Sequence, residues 1–363
     1  MDVTKIVITG GPCAGKSTAL SRIQEEFTTL GYTVLFVPET ATELINGGIA
    51  PWTCINSDEF QKYLMQLQID KEKLFEKAAS SMQTDKVLIV CDRGMLDNKA
   101  YMSNEGFKAA LLDLNLNEIE LRDNYDAVFH LVTAANGAEE YYTKVNNTAR
   151  TETPEQARKI DEKLISAWTG HPHFRVIDNS IDFDGKIRRL ITEIASFLGE
   201  PEPLEIERKY LIQYPDVLLL DSLENCQRIE IIQTYLKSDE NEEVRVRQRG
   251  KDGNFIYFKT IKRKISGLKR IEVEKRLSKD EYLALLLEAD TERRQIRKTR
   301  YCLMHENQYF EIDIYPFWND KAILEIELSD ENSKINFPEN IKIIKEVTDD
   351  ENYKNASLAK INN

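Results

Sequence analysis

Apolar residues in the first half of the chain form short continuous runs that alternate with longer amphipathic stretches. The runs predict strands over 3–9, 33–37, 87–91, 127–132 and 174–177, and the stretches predict helices over 16–30, 58–82 and 181–198. Fully apolar strands that alternate with helices are typical of a parallel sheet covered on both faces. We therefore predict an α/β domain, in which ligands bind at the carboxyl ends of the strands.

A different pattern runs through the second half, where charged residues alternate with apolar ones. The alternating sets are Glu205/Glu207/Lys209, Arg245/Arg247/Arg249, Thr260/Lys262, Arg270/Glu272/Glu274, Lys298/Arg300, Glu311/Asp313 and Glu325/Glu327. A period of two places each set on one face of a strand. A solvated sheet would explain one such strand. Seven of them favour an antiparallel β-barrel with a charged, wet interior and flanking helices such as 279–288.

Chain length and a proline-containing linker predict two domains. The chain has 363 residues, and the stretch 199–203 (Gly-Glu-Pro-Glu-Pro) reads as a short, stiff linker. The predicted domains are therefore residues 1–200 and 204–363.

Charge and cysteine content narrow the partners and the compartment. The net charge of −13 makes nucleic acid an unexpected partner and limits membrane contact to phosphorylated lipid headgroups that a local basic cluster could bind. Five scattered cysteines without a C-x-x-C pair favour reduced thiols and a cytoplasmic location. We expect neither a signal peptide nor a membrane span, because the chain begins with a strand and no apolar run approaches about 20 residues.

Residues 10–17 carry the most specific motif, G-x-x-x-x-G-K-S, between a predicted strand and a predicted helix. Such a loop cradles phosphates with backbone N–H groups at a helix N-terminus. The alternative is a glycine-rich turn without a ligand. The candidate ligands of Mg²⁺ and a nucleoside triphosphate, ATP or GTP, are Gly10, Gly15, Lys16, Ser17 and Thr18. Lys16 would reach the β- and γ-phosphates, and the Ser17 hydroxyl would bind the metal.

Three charged residues follow the second and third strands, where a substrate of such a domain would bind. Asp92 is the expected second Mg²⁺ partner, or a turn aspartate. Arg93 could hold a phosphate, or form an ion pair with Asp97 or Glu39. Glu39 could act as a general base for a substrate hydroxyl, or cap the next helix.

A polar stretch over 134–159 contains Arg150 and Arg158. It resembles a lid that closes over bound phosphates, and the alternative is a solvated helical hairpin.

Residues 3–200 resemble the P-loop kinase-like group that includes ribosylnicotinamide kinase and the AAA-type ATPase domain of two-domain GTP-binding trafficking proteins. The phosphate loop carries this resemblance, together with P-E-T-A at 38–41, D-R-G at 92–94 and T-P-E-Q-A-R at 153–158. The resemblance implies binding of a nucleoside triphosphate with Mg²⁺. It leaves the phosphoryl acceptor open, as well as the choice between ATP and GTP.

Residues 204–363 resemble the CYTH superfamily, the triphosphate tunnel metalloenzymes, whose hallmark is E-x-E-x-K at 205–209. The resemblance implies that Mg²⁺ or Mn²⁺ is bound by Glu205, Glu207, Glu325 and Glu327. It implies a triphosphate grip that consists of Lys209, Arg245, Arg247, Lys262, Arg270, Lys298 and Arg300. Family members include tripolyphosphatases, nucleoside triphosphatases and one class of adenylate cyclases, so the fold does not decide the reaction.

Three functions therefore compete. The first is a Mg²⁺-dependent nucleoside triphosphatase or kinase-like protein whose second domain binds and hydrolyses a triphosphate with metal. The second is a small-molecule kinase with a regulatory tunnel domain. The third is a non-catalytic switch that binds GTP and a polyanion.

Overall fold

The computed structural model describes residues 2–142, 153–200, 206–238, 242–266, 269–328 and 333–361. Side chains are described throughout these ranges except at positions 2, 141, 263–266 and 269–272. The chain divides into two compact units, Met1–Glu193 and Ile194–Asn363. In the part of the chain that is described, no helix is both long and apolar enough to cross a membrane.

The first unit is a parallel sheet with helices between its strands. Its elements are β1 (Asp2–Gly10), α1 (Lys16–Thr29), β2 (Thr33–Val37), α2 (Thr40–Asn46), α3 (Ser57–Ala79), β3 (Lys86–Asp92), α4 (Asn104–Asp113), α5 (Glu118–Arg122), β4 (Ala127–Leu131), α6 (Pro154–Trp168), β5 (Phe174–Ile177) and α7 (Phe183–Phe197), whose last residues continue past the end of the unit at Glu193. The strands pair in the order β2-β3-β1-β4-β5, and every pair is parallel. The predicted α/β domain is confirmed, and β1 stands at its centre.

The helix α3 ends earlier than predicted: it was expected to run to residue 82 and ends at Ala79. The hydroxyl groups of Ser80 and Ser81 donate hydrogen bonds to the carbonyl oxygens of Glu76 and Ala78. Serine hydroxyls compete in this way with the hydrogen bonds that would prolong a helix.

In its described residues, the second unit is an antiparallel sheet of nine strands. Its elements are β6 (Ile206–Gln213), α8 (Val217–Ser222), β7 (Cys226–Tyr235), β8 (Glu242–Lys251), β9 (Asn254–Ser266), β10 (Lys269–Leu277), α9 (Lys279–Leu285), β11 (Ile296–His305), β12 (Gln308–Ile314), β13 (Lys321–Leu328), β14 (Ile343–Glu346) and α10 (Asn355–Leu358). Hydrogen bonding links the strands in the order β10-β9-β8-β7-β11-β12-β13-β6-β14. The predicted antiparallel domain with flanking helices is confirmed.

Apolar residues on one face of this sheet form core clusters with the flanking helices. Ile312, Leu324 and Ile326 pack with Leu220 of α8. Val244 and Val246 pack with Tyr282 of α9. Because strand residues alternate between faces, burial of these positions turns their sequence neighbours to the opposite face.

Candidate functional sites

The phosphate-loop motif connects the end of β1 to the start of α1. Gly10 has a φ of +149° and Gly15 a φ of +96°. A Cβ atom on Gly10 would lie 2.2 Å from the carbonyl oxygen of Leu131, and one on Gly15 would lie 2.6 Å from the Phe183 ring. Both positions therefore require glycine. Ser17 and Thr18 lie in the first turn of α1 and are exposed.

Side chains from other elements hold the backbone of this loop in place. The Gly11 N–H donates to Asp161 Oδ1 at 2.8 Å, and the Lys186 ammonium donates to the Ala14 carbonyl at 3.2 Å. The Thr133 hydroxyl donates to the carbonyl oxygen of Pro12. These protein contacts hold the loop in its conformation.

Asp161 was not among the candidates from the sequence, although it contacts the motif directly. It is buried on α6, and its Oδ1 lies 3.0 Å from His130 Nε2 and 3.3 Å from the Thr133 N–H donor. A detectable signal existed: Asp161 interrupts the apolar stripe that includes Ala157 and Leu164. A carboxylate on a core-facing stripe must find donors inside the protein.

Lys186 was also not identified, and it is a buried ammonium behind the loop. Besides Ala14, it donates to the Val132 carbonyl at 2.6 Å and to Asn179 Oδ1 at 2.7 Å. Burial lowers its pKa to about 8, against the opposing influence of Asp161 and Asp178.

Four charged candidates meet at the carboxyl ends of β1, β2 and β3. Burial, together with the charge of Arg93, lowers the pKa of Lys16, and the opposing charges of Asp92 and Glu39 limit that shift. Burial raises the pKa of Asp92, and Lys16 opposes the rise. The structure thus brings Lys16, Asp92, Glu39 and Arg93 into one electrostatic cluster.

Asp92 has the chemistry that a divalent cation needs. Its Oδ1 is buried and, among the described residues, accepts no hydrogen bond. A buried acceptor without a partner is costly, and a hard cation would satisfy it. The Asp92 carboxylate therefore offers the oxygen donor that a Mg²⁺ ion requires.

Glu39 and Arg93 form an ion pair with an Nε–Oε1 distance of 2.5 Å. Glu39 precedes α2 at its N-cap position, but its side chain accepts from the Thr42 hydroxyl at 2.7 Å and not from a backbone N–H of the helix. Burial raises the pKa of Glu39, and the charges of Arg93 and Lys16 outweigh this and lower it to about 2. Glu39 is therefore ionised near neutral pH.

Asp97 organises the D-R-G segment and was considered beforehand only as an ion-pair partner of Arg93. Its Oδ1 accepts from the Thr9 hydroxyl at 2.8 Å and from Trp168 Nε1 at 2.7 Å. Its Oδ2 lies 3.9 Å from Arg93 Nη1. Arg93 itself has a φ of +72°, which is unfavourable for a side chain of this size. Asp97 thus connects β1 and α6 to the strained segment.

The two arginines of the predicted lid have different outcomes. Arg150 lies outside the described residues. Arg158, on α6, donates to the Ala135 carbonyl at 2.6 Å and lies 3.4 Å from Glu139 Oε1. In this structure Arg158 therefore holds the segment that follows β4.

In the second unit, strand register brings the charged sets together on one face. Glu325 pairs with Lys209 and with Glu311, Arg300 pairs with Asp313, and Glu327 pairs with Glu207. Between β8 and β9, Arg245 pairs with Thr260, and Glu243 pairs with Lys262. Residues directly opposite in an antiparallel pair share a face.

Buried ion pairs connect the charges of β6, β11, β12 and β13. Lys209 Nζ lies 2.5 Å from Glu325 and 3.1 Å from Glu207. Arg300 donates to Glu325 at 2.7 Å and to both oxygens of Asp313 at 2.7 Å. Lys298 also donates to Asp313, and Glu311 accepts from Arg300.

The strands β8, β9 and β10 carry the more basic part of the face. Arg247 lies 2.6 Å from Glu274, which also accepts from the Thr260 hydroxyl at 2.8 Å. Arg270 lies on β10, and its side chain is outside the described set, as is the whole of Glu205.

The carboxylates beside Lys209 have opposite pKa shifts. Burial raises the pKa of Glu207, and Glu325 adds to the rise while Lys209 opposes it. For Glu325, burial acts in the same direction, but Lys209 and Arg300 outweigh it and hold the pKa well below its usual range. Glu325 is therefore the fixed negative charge of the pair.

A cation already lies between two of the candidate metal ligands. Among the described residues, no group of three or more His, Cys, Asp or Glu side chains is arranged to hold a metal. However, Glu207 and Glu325 both contact the Lys209 ammonium, which acts as a stand-in ion. Convergent carboxylate oxygens fit a hard divalent cation.

Sequence families account for both units. The AAA domain family matches residues 5–186, and the CYTH domain family matches residues 203–360. Over 159 residues the chain is 32% identical to an inorganic triphosphatase of Nitrosomonas europaea, a match that covers 43% of this chain and 96% of that protein.

Two solved structures are similar to parts of the chain. The crystal structure of an inorganic triphosphatase shares 29% identity with a TM-score of 0.30, over 43% of this chain and 94% of that one. The structure of a deoxyadenosine kinase from M. mycoides with bound dATP shares 16% identity with a TM-score of 0.37, over 53% of this chain and 98% of the other.

Proposed function

We propose that each half of this chain binds a triphosphate. The chain belongs to the AAA domain family over residues 5–186 and to the CYTH domain family over residues 203–360. The first half holds a nucleoside triphosphate with the backbone of a loop. The second half holds and hydrolyses a triphosphate with side chains on a sheet. We propose that the boundary between the two halves lies at residues 201–203. We also propose that the protein is located in the cytoplasm.

Triphosphate hydrolysis by the second half is supported above all by one observation, the array of charged side chains on one sheet face. The basic members, including Arg247, Lys262 and Lys298, would bind phosphate oxygens and offset the charge that develops during cleavage. Glu207 and Glu325, with Glu205 and Glu327, would hold Mg²⁺ or Mn²⁺. When bound, such an ion polarises a phosphoryl oxygen and orients the attacking water. The related protein from Nitrosomonas europaea is an inorganic triphosphatase.

Binding of a Mg²⁺–nucleoside triphosphate by the first half is supported by the preformed loop and by the buried oxygen of Asp92. Loop N–H groups and Lys16 would bind the phosphates, while Ser17 and Asp92 would bind the metal. The loop contacts phosphates and not the base, so both ATP and GTP belong in the test.

A second candidate function, a small-molecule kinase, is favoured by the ion pair between Glu39 and Arg93. The pair lies in the same electrostatic cluster as Lys16, where an acceptor hydroxyl would approach the γ-phosphate. With a pKa of about 2, Glu39 is a weak proton acceptor while Arg93 is bound to it. Glu39 would therefore orient the acceptor hydroxyl, and Arg93 would hold an anionic group.

A turnover panel on the full-length chain tests these functions. Tripolyphosphate, ATP and GTP are supplied with Mg²⁺ or Mn²⁺, and both nucleotide binding and phosphate release are measured for the wild type, Lys16→Ala and Glu207→Gln. We expect Lys16→Ala to lose nucleotide binding and keep tripolyphosphate hydrolysis, whereas Glu207→Gln does the reverse. Lys345→Met on β14, whose ammonium makes an exposed pair with Asp350, is the control.

The outcomes separate the candidates. Absence of turnover with every substrate and both metals would refute the hydrolase. Transfer of labelled γ-phosphate to nucleosides, sugars or vitamins would establish the kinase. Nucleotide binding without turnover, together with pelleting on anionic liposomes but not on neutral ones, would establish a non-catalytic switch.

A further inference from the structure

Lys209 occupies the place where the two described metal-side carboxylates converge. Its ammonium lies 2.5 Å from Glu325 and 3.1 Å from Glu207, and its side chain is 16% exposed. The neighbouring cations bind elsewhere: Lys298 contacts Asp313, and Arg300 contacts both Asp313 and Glu325. Lys209 is thus the described cation that bridges Glu207 and Glu325.

A divalent metal cannot bind these carboxylates while Lys209 stays between them. The ammonium contacts Glu207 Oε2 and Glu325 Oε1, and Arg300 contacts Glu325 Oε2, so a metal bound by both carboxylates competes with Lys209 for Glu325. A metal ion held beside the ammonium in a partly buried site would also be repelled by it. Metal binding therefore requires the ammonium to leave. When no other anion is bound, the Lys209 ammonium would have to exchange two carboxylates for water. Replacement of the ammonium by a metal then gains little free energy.

A bound triphosphate changes this balance. Lysine has a flexible four-carbon stem and three rotatable donors, so its ammonium can turn toward phosphate oxygens on the same sheet face. Arg247, Lys262 and Lys298 lie on the same sheet face as Lys209. Once the ammonium pairs with a phosphate oxygen, Glu207 and Glu325 become available to the metal.

We propose that Lys209 couples the two ligands of the second unit: it keeps the metal-side carboxylates occupied until a triphosphate draws its ammonium away. The inference rests on the proposed triphosphate site. Its consequence is that metal and triphosphate strengthen each other's binding, and that Lys209 supplies most of this coupling. The effect is reciprocal, as linkage requires.

The test compares the full-length protein with its Lys209→Met variant, both carrying Lys16→Ala to remove the nucleotide site. Binding of Mn²⁺ alone is measured by electron paramagnetic resonance of the free ion. Binding of diimidotriphosphate, a triphosphate with imido bridges, is measured by calorimetry with and without Mn²⁺. Solution chelation of Mn²⁺ by the probe is identical for both proteins and cancels in the comparison.

We expect Lys209→Met to bind Mn²⁺ alone about tenfold more tightly than the Lys16→Ala parent, because the competing ammonium is gone. The variant should bind diimidotriphosphate alone more weakly. The factor by which Mn²⁺ enhances diimidotriphosphate binding should fall by about tenfold.

Two further variants guard the interpretation. Lys209→Arg keeps the positive charge and should retain weak Mn²⁺ binding and the coupling, even if Lys209→Met folds poorly. Lys345→Met, which removes an exposed lysine from the adjacent strand β14, should leave all three affinities unchanged.

Two results would overturn the inference in distinguishable ways. Equal coupling in Lys209→Met and its parent, with both ligands bound, would refute the role of Lys209 and leave the triphosphate site standing. Failure of the parent to bind either Mn²⁺ or diimidotriphosphate would refute the proposed site and the coupling with it.

Discussion

Replacement of Arg300 by methionine measures what holds the charged face together. Arg300 is 9% exposed and donates to both oxygens of Asp313 and to Glu325, each at 2.7 Å, and also to Glu311. Methionine preserves the apolar stem and removes the guanidinium. The carboxylates then lose a shared cation inside the protein.

The expected cost follows from what remains after the substitution. Breaking a buried ion pair by removing one partner costs about 3–5 kcal/mol. Lys298 still contacts Asp313, and Lys209 still contacts Glu325, so the loss should lie at the lower end, about 3 kcal/mol.

Arg208→Met is the matched control on the same sheet. Arg208 is 34% exposed and makes a two-pronged pair with Glu346, with distances of 2.9 Å and 2.6 Å. Because both partners are solvated, this pair should contribute about 1 kcal/mol or less. The two arginines differ in burial and in the number of carboxylates that they contact.

Hydrogen exchange measured by mass spectrometry reports on the second unit without interference from the first. Peptides from β11, β12 and β13 are followed at increasing urea concentrations in the full-length protein. The opening free energy should fall by about 3 kcal/mol in Arg300→Met and by about 1 kcal/mol or less in Arg208→Met. Equal losses in the two variants would show that burial does not determine the contribution of these pairs.

Three further predictions concern the first unit. Because the pKa of Glu39 is lowered to about 2, its pairing with Arg93 stabilises the fold above pH 4.5. In denaturant titrations at such pH the wild type should be more stable than Glu39→Gln by about 3 kcal/mol, and this difference should vanish as the pH falls toward 2. Trp168→Phe removes the donor to Asp97 and should destabilise the unit by about 1–3 kcal/mol in urea unfolding; no loss would mean that water replaces the indole. Lys186 has a pKa of about 8 in the folded state, so it releases its proton at lower pH than in the unfolded state. The free energy of unfolding of the wild type should therefore rise relative to that of Lys186→Met by about 3 kcal/mol between pH 8 and 10.5. A difference that does not change with pH would contradict the buried, desolvated ammonium.

The sequence allowed prediction of whatever is encoded locally. The period-two alternation placed charges on single faces of strands, and the phosphate-loop motif placed Gly10 and Gly15 where the backbone needs glycine. Both signals act over a few residues, so they can be read without knowing the fold.

Contacts between distant segments could not be predicted. The hydrogen bond from Gly11 to Asp161 joins residues 150 positions apart, and the one from Lys186 to Ala14 spans 172 positions. Asp161 and Lys186 carry no motif, and their roles depend on how α6 and α7 pack. Even the partners on the charged face, such as Lys209 with Glu325, depend on a register that only the folded sheet defines.

The alternation of charged and apolar residues also makes the sheet intolerant of misalignment. A shift of one residue in β13 against β6 would turn Glu325 and Glu327 toward the core and Leu324 and Ile326 toward the charged face. Each carboxylate forced into the core would cost several kcal/mol. Insertion or deletion of a single residue within these strands should therefore prevent correct pairing of the strands. A two-residue change preserves the alternation. The same charges that are suited to a triphosphate thus also specify how the strands align.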